Sequence, residues 1–235
     1  MKNSVIYIYT SFILLVKKGG KTMPTGNSYK ISTKRKNLYL RVAKGHFATN
    51  HSHINYYIDV TTQKTRLSEA QAVATELVSY YNQSTIVDTI LCLDGTQVIG
   101  TCLAEELTRG NFVSINAHQT IYVLTPEHTA GSQLIFRDSL VSALQGKNVL
   151  ILAASVTTGY TAKSAIEAIN YYGGRVAGIA AVFATVPTCM GYEVHSVFDP
   201  NDLQDYESYQ SHECPLCKSG QKIDALVNSF GYSKL

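Results

Sequence analysis

Two hydrophobic rhythms run through this chain. Residues 149–152 (Val-Leu-Ile-Leu) and 176–183 are almost continuously apolar, as expected of parallel strands buried on both faces. Between them, residues 162–171 place apolar side chains at helical spacing, and Gly173-Gly174 closes that helix. The same reading predicts strands at 86–93, 112–115 and 121–124, and a helix at 98–107. A further helix opens at Leu67-Ser68-Glu69-Ala70-Gln71 and runs toward Tyr81, with Ser68 as N-cap and Gln71 completing a capping box. Residues 23 to about 59, rich in Tyr, Lys and β-branched side chains, predict short strands. Strands alternating with helices predict an α/β fold with a mostly parallel central sheet flanked by helices.

Ligands of such sheets sit at the carboxyl ends of the strands. Thr157-Thr158-Gly159-Tyr160-Thr161 occupies that place, between the strand ending near Leu152 and the helix beginning at Ala162. Free N–H groups of a first helical turn, its positive dipole end and threonine hydroxyls together make a cradle for a phosphate.

The chain has 235 residues, 45% hydrophobic and 16% charged, which fits one soluble α/β domain with additions. A net charge of +3 gives no argument for nucleic acid or a membrane surface, and Lys34-Arg35-Lys36 reads as a solvated turn. Five cysteines without a secretion signal fit a reducing cytoplasm. Cys92 and Cys102 fall in a strand and a helix, as buried small hydrophobes. Cys214 and Cys217 have the spacing of half a zinc knuckle, with Cys189, His195 and His212 as candidates for the remaining ligands. A metal-free thiol pair and a redox pair remain open beside zinc. His51 and His53 are expected to have surface or packing roles. Residues 1–22 carry an apolar stretch too short for a membrane span, followed by Lys-Gly-Gly shortly before Met23. An untranslated leader read as protein explains this best, with a weak anchor or a disordered extension as alternatives.

Val156-Thr157-Thr158-Gly159-x-Thr161 resembles the phosphoribosyl-diphosphate (PRPP) motif of type I phosphoribosyltransferases. Tyr160 replaces the motif's second glycine, and Ala153 and Ala154 stand where the family has two carboxylates that hold the ribose hydroxyls beside magnesium. Residues 45–59, ending Tyr56-Tyr57-Ile58-Asp59, resemble the N-terminal element of orotate phosphoribosyltransferases. Asp94-Gly95-Thr96 lies where that family has its diphosphate loop, and residues 213–220 are similar to the tail of some bacterial members. The family's mobile cationic loop corresponds to residues 122–131, which contain no Lys or Arg, so that His128 and Gly131 stand as remnants and Arg137 is the nearby cation.

The resemblance implies the type I phosphoribosyltransferase fold with a small N-terminal hood. It divides the chain into a leader or extension (1–22), the hood (23–60), the α/β core (61–200) and a tail carrying the CxxC and a packing helix (201–235). It further implies a cytoplasmic homodimer that binds a small 5′-phosphorylated ribose ligand at residues 157–161, without nucleic acid or membrane. Mg²⁺ would accompany an active enzyme, and Zn²⁺ the cysteine pair. Without the acidic pair and the cationic loop, transfer is expected to be weakened or lost. The alternative is an active orotate or pyrimidine phosphoribosyltransferase in which Asp94 or other acids stand in for Ala153 and Ala154.

Overall fold

The computed structural model describes residues 28–32, 38–109, 114–117, 119–129 and 133–235. The leader, the Lys34-Arg35-Lys36 cluster, Gly131 and the first half of the strand expected at 112–115 lie outside the described residues, and the other half, Ser114 and Ile115, enters a turn instead of a strand. The chain opens with strands β1 (Ser28–Ser32), β2 (Tyr39–Ala48) and β3 (His53–Asp59), then helices α1 (Thr61–Thr65) and α2 (Leu67–Val78). Next come β4 (Thr89–Cys92), α3 (Gln97–Thr108), β5 (Tyr122–Leu124), the short pair β6 (Glu127–His128) and β7 (Leu134–Ile135), and α4 (Asp138–Val141). The β8 strand (Asn148–Val156), α5 (Tyr160–Tyr171), β9 (Arg175–Ala184), β10 (Thr188–Cys189) and β11 (Tyr192–Phe198) complete the core. The tail holds β12 (Ser208–Tyr209), the one-turn α6 (Pro215–Lys218), β13 (Ala225–Asn228) and β14 (Gly231–Lys234).

The central sheet runs β10-β11-β9-β8-β4-β5, parallel except for β10. Counted along the chain, its parallel strands lie in the order 2-1-3-4-5, so the topology reverses between β4 and β8. Side chains of β8 alternate between two cores. Leu150, Leu152 and Ala154 join Val73, Leu77, Ile99 and Leu103 of α2 and α3. Val149, Ile151 and Ala153 join Ala165, Ile166 and Ile169 of α5. Each fully buried isoleucine contributes roughly 1.5–3 kcal/mol. The parallel sheet flanked by helices is the α/β architecture expected from the apolar runs.

The helix after Arg66 begins two residues earlier than its capping signal suggests. Arg66 is extended at the cap position and no side chain caps the helix, because the short α1 runs directly into it and places Ser68 inside the first turn. Arg66 instead closes that turn through Glu69, 2.9 Å away.

The tail also departs from expectation. After the single turn of α6 it forms a β13–β14 hairpin rather than a packing helix. Alternate residues of β13 are buried, and Ala225 and Val227 seal against Ala43, Phe47 and Tyr57. A period of two favours a strand. The hood sheet, β12-β3-β2-β13-β14 with β1 on β2, is therefore built from both ends of the chain, and not from residues 23–60 alone.

Candidate functional site

The topological reversal between β4 and β8 opens a crevice at the carboxyl ends of those strands. The Thr157 loop lies there. Gly159 takes φ +75°, a conformation that L side chains rarely adopt, and turns the chain from β8 into α5. The Thr185 hydroxyl donates to the Thr157 carbonyl at 2.8 Å and fixes the loop from β9's side. No side chain caps α5. Its first N–H groups therefore face the crevice without an intrahelical acceptor, alongside the exposed Thr158 and Thr161.

Across the crevice, Asp94 (φ +56°) and Gly95 (φ +78°) form a left-handed corner after β4. Lys64, buried in α1, donates its ammonium to the Asp94 carbonyl at 2.8 Å and also to the Ser229 carbonyl. Thr96 is fully buried and its hydroxyl serves the Leu93 and Leu152 carbonyls at 2.8 and 3.0 Å. Of the three residues expected to form a diphosphate loop, only Asp94 lines the cavity, because Thr96 is needed to lock the corner to β8.

Burial raises the pKa of the Asp94 carboxyl, against the lowering effects of Lys64, the Ala154 N–H, the Ser229 hydroxyl and His128. The folded state therefore holds this proton more tightly than the unfolded chain. Stability is lost as pH rises from the ordinary carboxyl value through the folded one. Asp94→Asn is accordingly expected to raise the melting temperature at neutral pH, with the gap closing as pH falls toward about 4. Melting curves across pH check this. A wild type at least as stable as the variant at neutral pH would show that the partners outweigh burial.

Both loops face a cavity of about 540 Å³, within the usual size for a small-molecule site. The hood supplies the opposite wall, with Thr49, Asn50 and His51 of the β2–β3 turn and an apolar side that includes Ile54, Tyr57 and Tyr206. Phe183 of β9 packs edge-on against Tyr206, with centroids 5.5 Å apart. Tyr160 meets His51 at 4.6 Å, so hood and helix N-terminus touch across the cavity mouth.

Ala153 and Ala154 are both 1% exposed but differ in direction. Ala154 lines the cavity, whereas Ala153 faces the α5 core. The stretch corresponding to the family's cationic loop carries β5 and β6, and β6 pairs antiparallel with β7. His128, on β6, lines the cavity. Arg137 pairs through two hydrogen bonds with Glu127, at 2.8 and 2.5 Å, so its charge is already matched. Among the described lining residues there is one carboxylate, Asp94, and no Lys or Arg. Magnesium prefers octahedral oxygen coordination and is usually held by one or two carboxylates plus substrate phosphates. Asp94 supplies the lower end of that range, so a magnesium ion here would depend on the phosphates of its ligand.

Cys92 and Cys102 are buried, as expected. The CxxC pair does not meet the partners that chain proximity suggested. Cys189 approaches the Gly159 carbonyl at 3.6 Å, His195 stacks on Tyr80 at 4.4 Å, and His212 is exposed beside Glu213. Cys214 and Cys217 lie instead against His46 and His53, because the tail folds back onto the hood. His53, expected in a surface or packing role, is half-buried beside them. Sequence reasoning also missed Lys64, Tyr206 and Ser229. Lys64 sits in the polar run Thr-Thr-Gln-Lys-Thr, where nothing signals burial.

No family model matches the chain. The orotate phosphoribosyltransferase of Chlorobaculum parvum is 26% identical over 184 residues, 77% of this chain and 86% of that protein. That of Chlorobium phaeobacteroides is 28% identical over 185 residues, again 77% and 86%. The orotate phosphoribosyltransferase of a Thermoanaerobacter species is 34% identical over 76 residues, 32% of this chain and 39% of that protein. Among solved structures, Mycobacterium tuberculosis orotate phosphoribosyltransferase is 19% identical, covers 70% of this chain and 92% of its own, and has a TM-score of 0.47. The adenine phosphoribosyltransferase of Trypanosoma brucei is 13% identical, covers 71% and 78%, and has a TM-score of 0.49. Among the described residues no helix is long and apolar enough to cross a membrane. The chain is thus similar, along most of the length of both bacterial relatives, to orotate phosphoribosyltransferases, and it carries the threonine loop on a parallel α/β sheet.

Proposed function

We propose that the protein binds a 5′-phosphoribosyl compound, a nucleoside monophosphate or PRPP, with its phosphate on residues 157–161, and that phosphoribosyl transfer is weakened or lost. The observation that carries this reading is one cavity joining an uncapped helix N-terminus, beside exposed threonines, to an aromatic wall. The first suits a phosphate and the second suits a ring. Backbone N–H groups and hydroxyls would hold the phosphate without a cationic side chain. Binding would then need no magnesium. The proposal includes the cytoplasmic homodimer that the resemblance implies.

A second reading keeps the transferase active, with Asp94 in place of the acidic pair. It is favoured by Asp94 and Ala154 lining the same cavity, which sets a carboxyl group in the space facing one of the positions that lost its acid. Under this reading PRPP binds as its magnesium complex.

Calorimetric titration of the protein with uridine monophosphate, orotidine monophosphate and PRPP, with and without magnesium, separates the two. A monophosphate is expected to bind equally well in both conditions, and uridine without phosphate to bind at least about tenfold more weakly, the equivalent of about 1.4 kcal/mol. Gly159→Ala, whose added Cβ would sit 3.2 Å from the Cys189 sulfur at a left-handed φ, is expected to weaken binding by a similar factor. Silence with all three phosphorylated ligands would reduce the threonine loop to scaffold.

A further inference from the structure

His46, His53, Cys214 and Cys217 converge at the base of the hood, away from the cavity. His46 lies in the irregular stretch of β2 where its register with β3 shifts between Lys44 and Phe47. His53 is the first residue of β3. Cys214 and Cys217 flank Pro215-Leu216 at the start of the α6 turn, which Lys218 closes by donating its N–H to the Cys214 carbonyl at 3.1 Å. All four donor atoms lie within 4.8 Å of one another.

The spacings are those of ligands around one small cation. His46 Nε2 and His53 Nδ1 are 3.2 Å apart. Cys214 Sγ lies 3.5 Å from His46 Nε2, and Cys217 Sγ lies 3.7 Å from that nitrogen and 3.3 Å from His53 Nδ1. A regular tetrahedron built on ordinary zinc–nitrogen and zinc–sulfur bonds has edges of about 3.3 Å between nitrogens and about 3.6 Å between nitrogen and sulfur. The four edges given lie within about 0.3 Å of these values. The tautomer is also fixed. His46 Nδ1 lies 2.9 Å from the Gln221 carbonyl, which can only accept, so the proton sits on Nδ1 and the Nε2 lone pair faces the sulfurs. Metal-binding histidines are oriented by this kind of contact. His46 and Cys214 are fully buried. Two thiolates would balance a divalent ion, leaving the buried cluster neutral.

We propose that these four residues form a structural zinc site that ties the hood to the C-terminal tail. Sulfur and imidazole donors in a tetrahedral set select zinc over the hard oxygen-seeking cations. Four protein ligands leave no open position, so the site is structural and not catalytic. Its place in the fold gives it work. Beyond His46, the bulge is held by Asp224, whose carboxylate accepts the His46 N–H at 2.8 Å while its own N–H donates to the His46 carbonyl at 2.7 Å. Gly45 has no room for a side chain there, since a Cβ would lie 2.7 Å from that carboxylate. From this anchor β13 runs parallel to β2 and delivers Asn228 and Ser229 to the cavity, while the β2–β3 turn delivers Thr49 to His51. The ion would therefore fasten two walls of the cavity from behind.

The test is metal analysis of the full chain, produced with zinc supplied and passed through gel filtration. About one zinc per chain is expected, falling at least about tenfold in His53→Ala and in Cys217→Ser. Cobalt offered to the zinc-stripped wild type should give tetrahedral ligand-field bands with thiolate charge transfer, and X-ray absorption should count two sulfurs and two nitrogens. These wild-type spectra carry the test if a variant fails to fold. Zinc well below one per chain with no cobalt bands would overturn the proposal. So would iron in zinc's place, or full zinc in the folded His53→Ala protein.

Discussion

Given PRPP, orotate and magnesium, the protein is expected to form orotidine monophosphate about 10⁴-fold or more slowly than a transferase whose acidic pair and cationic loop are intact. Diphosphate leaving from an oxocarbenium-like ribose puts charge where those groups would stand. Each missing stabilising group costs about 10²–10³ in rate by the scale of a lost oxyanion donor. The geometry removes the obvious substitutes. Arg137 is committed to Glu127, and Asp94 is one carboxylate where the family has two. Single-turnover measurement of orotate consumption checks the rate. Ala154→Asp is the informative gain-of-function variant, since residue 154 lines the cavity beside Asp94, while an acid at 153 would be buried in the α5 core. Wild-type turnover within about tenfold of an intact transferase would show that Asp94 does the work of the pair.

Substitution of Gly100 should be the most damaging single change to the fold. In α3 this glycine lets the helix lie directly on β4, where an added Cβ would sit 2.3 Å from the Cys92 sulfur and 3.3 Å from a Val123 methyl. Helix propensity alone favours alanine there by about 1 kcal/mol. Packing overrules it. Gly100→Val is expected to cost about 3 kcal/mol or more, a large part of a typical domain's stability, and Gly100→Ala a smaller amount. The cause is local, so Cys92→Ala should relieve Gly100→Ala, with a coupling of about 1–2 kcal/mol in a double-mutant cycle. Urea unfolding of the four proteins measures it. An alanine variant as stable as wild type would mean that the helix can stand off from the strand.

These expectations rest on features of unequal visibility in the chain. The β8–loop–α5 unit could be read directly, because Val149 to Leu152 are apolar without interruption and Gly159 precedes a helical rhythm; both signals are local. The positive φ of Asp94 and the burial of Lys64 were not visible. Each depends on partners such as Ser229, 165 residues from Lys64. The Ser68 capping signal misled because its outcome depended on α1, a helix of five polar residues with no apolar period. His46 and His53 were missed as companions of the cysteines because proximity along the chain was the only guide, and 168 residues separate His46 from Cys214. The threonine loop showed where a phosphate could sit. Which side chains close the cavity around it is a matter of tertiary pairing.

That the hood draws on both ends of the chain has a consequence for its making. The core sheet from β4 to β11 can assemble while the chain is still being synthesised, since its strands follow one another in order. The cavity cannot. Its front wall needs β13, whose partner strand β2 left the ribosome nearly two hundred residues earlier. Until then the Phe47–Ala48 end of β2 lacks that partner, while β1 and β3 already flank the rest of the strand. Completion of the cavity is thus the last event of the chain's own folding, and a chain that stops short of β13 would keep the crevice but lack Val227, Asn228 and Ser229 on its wall.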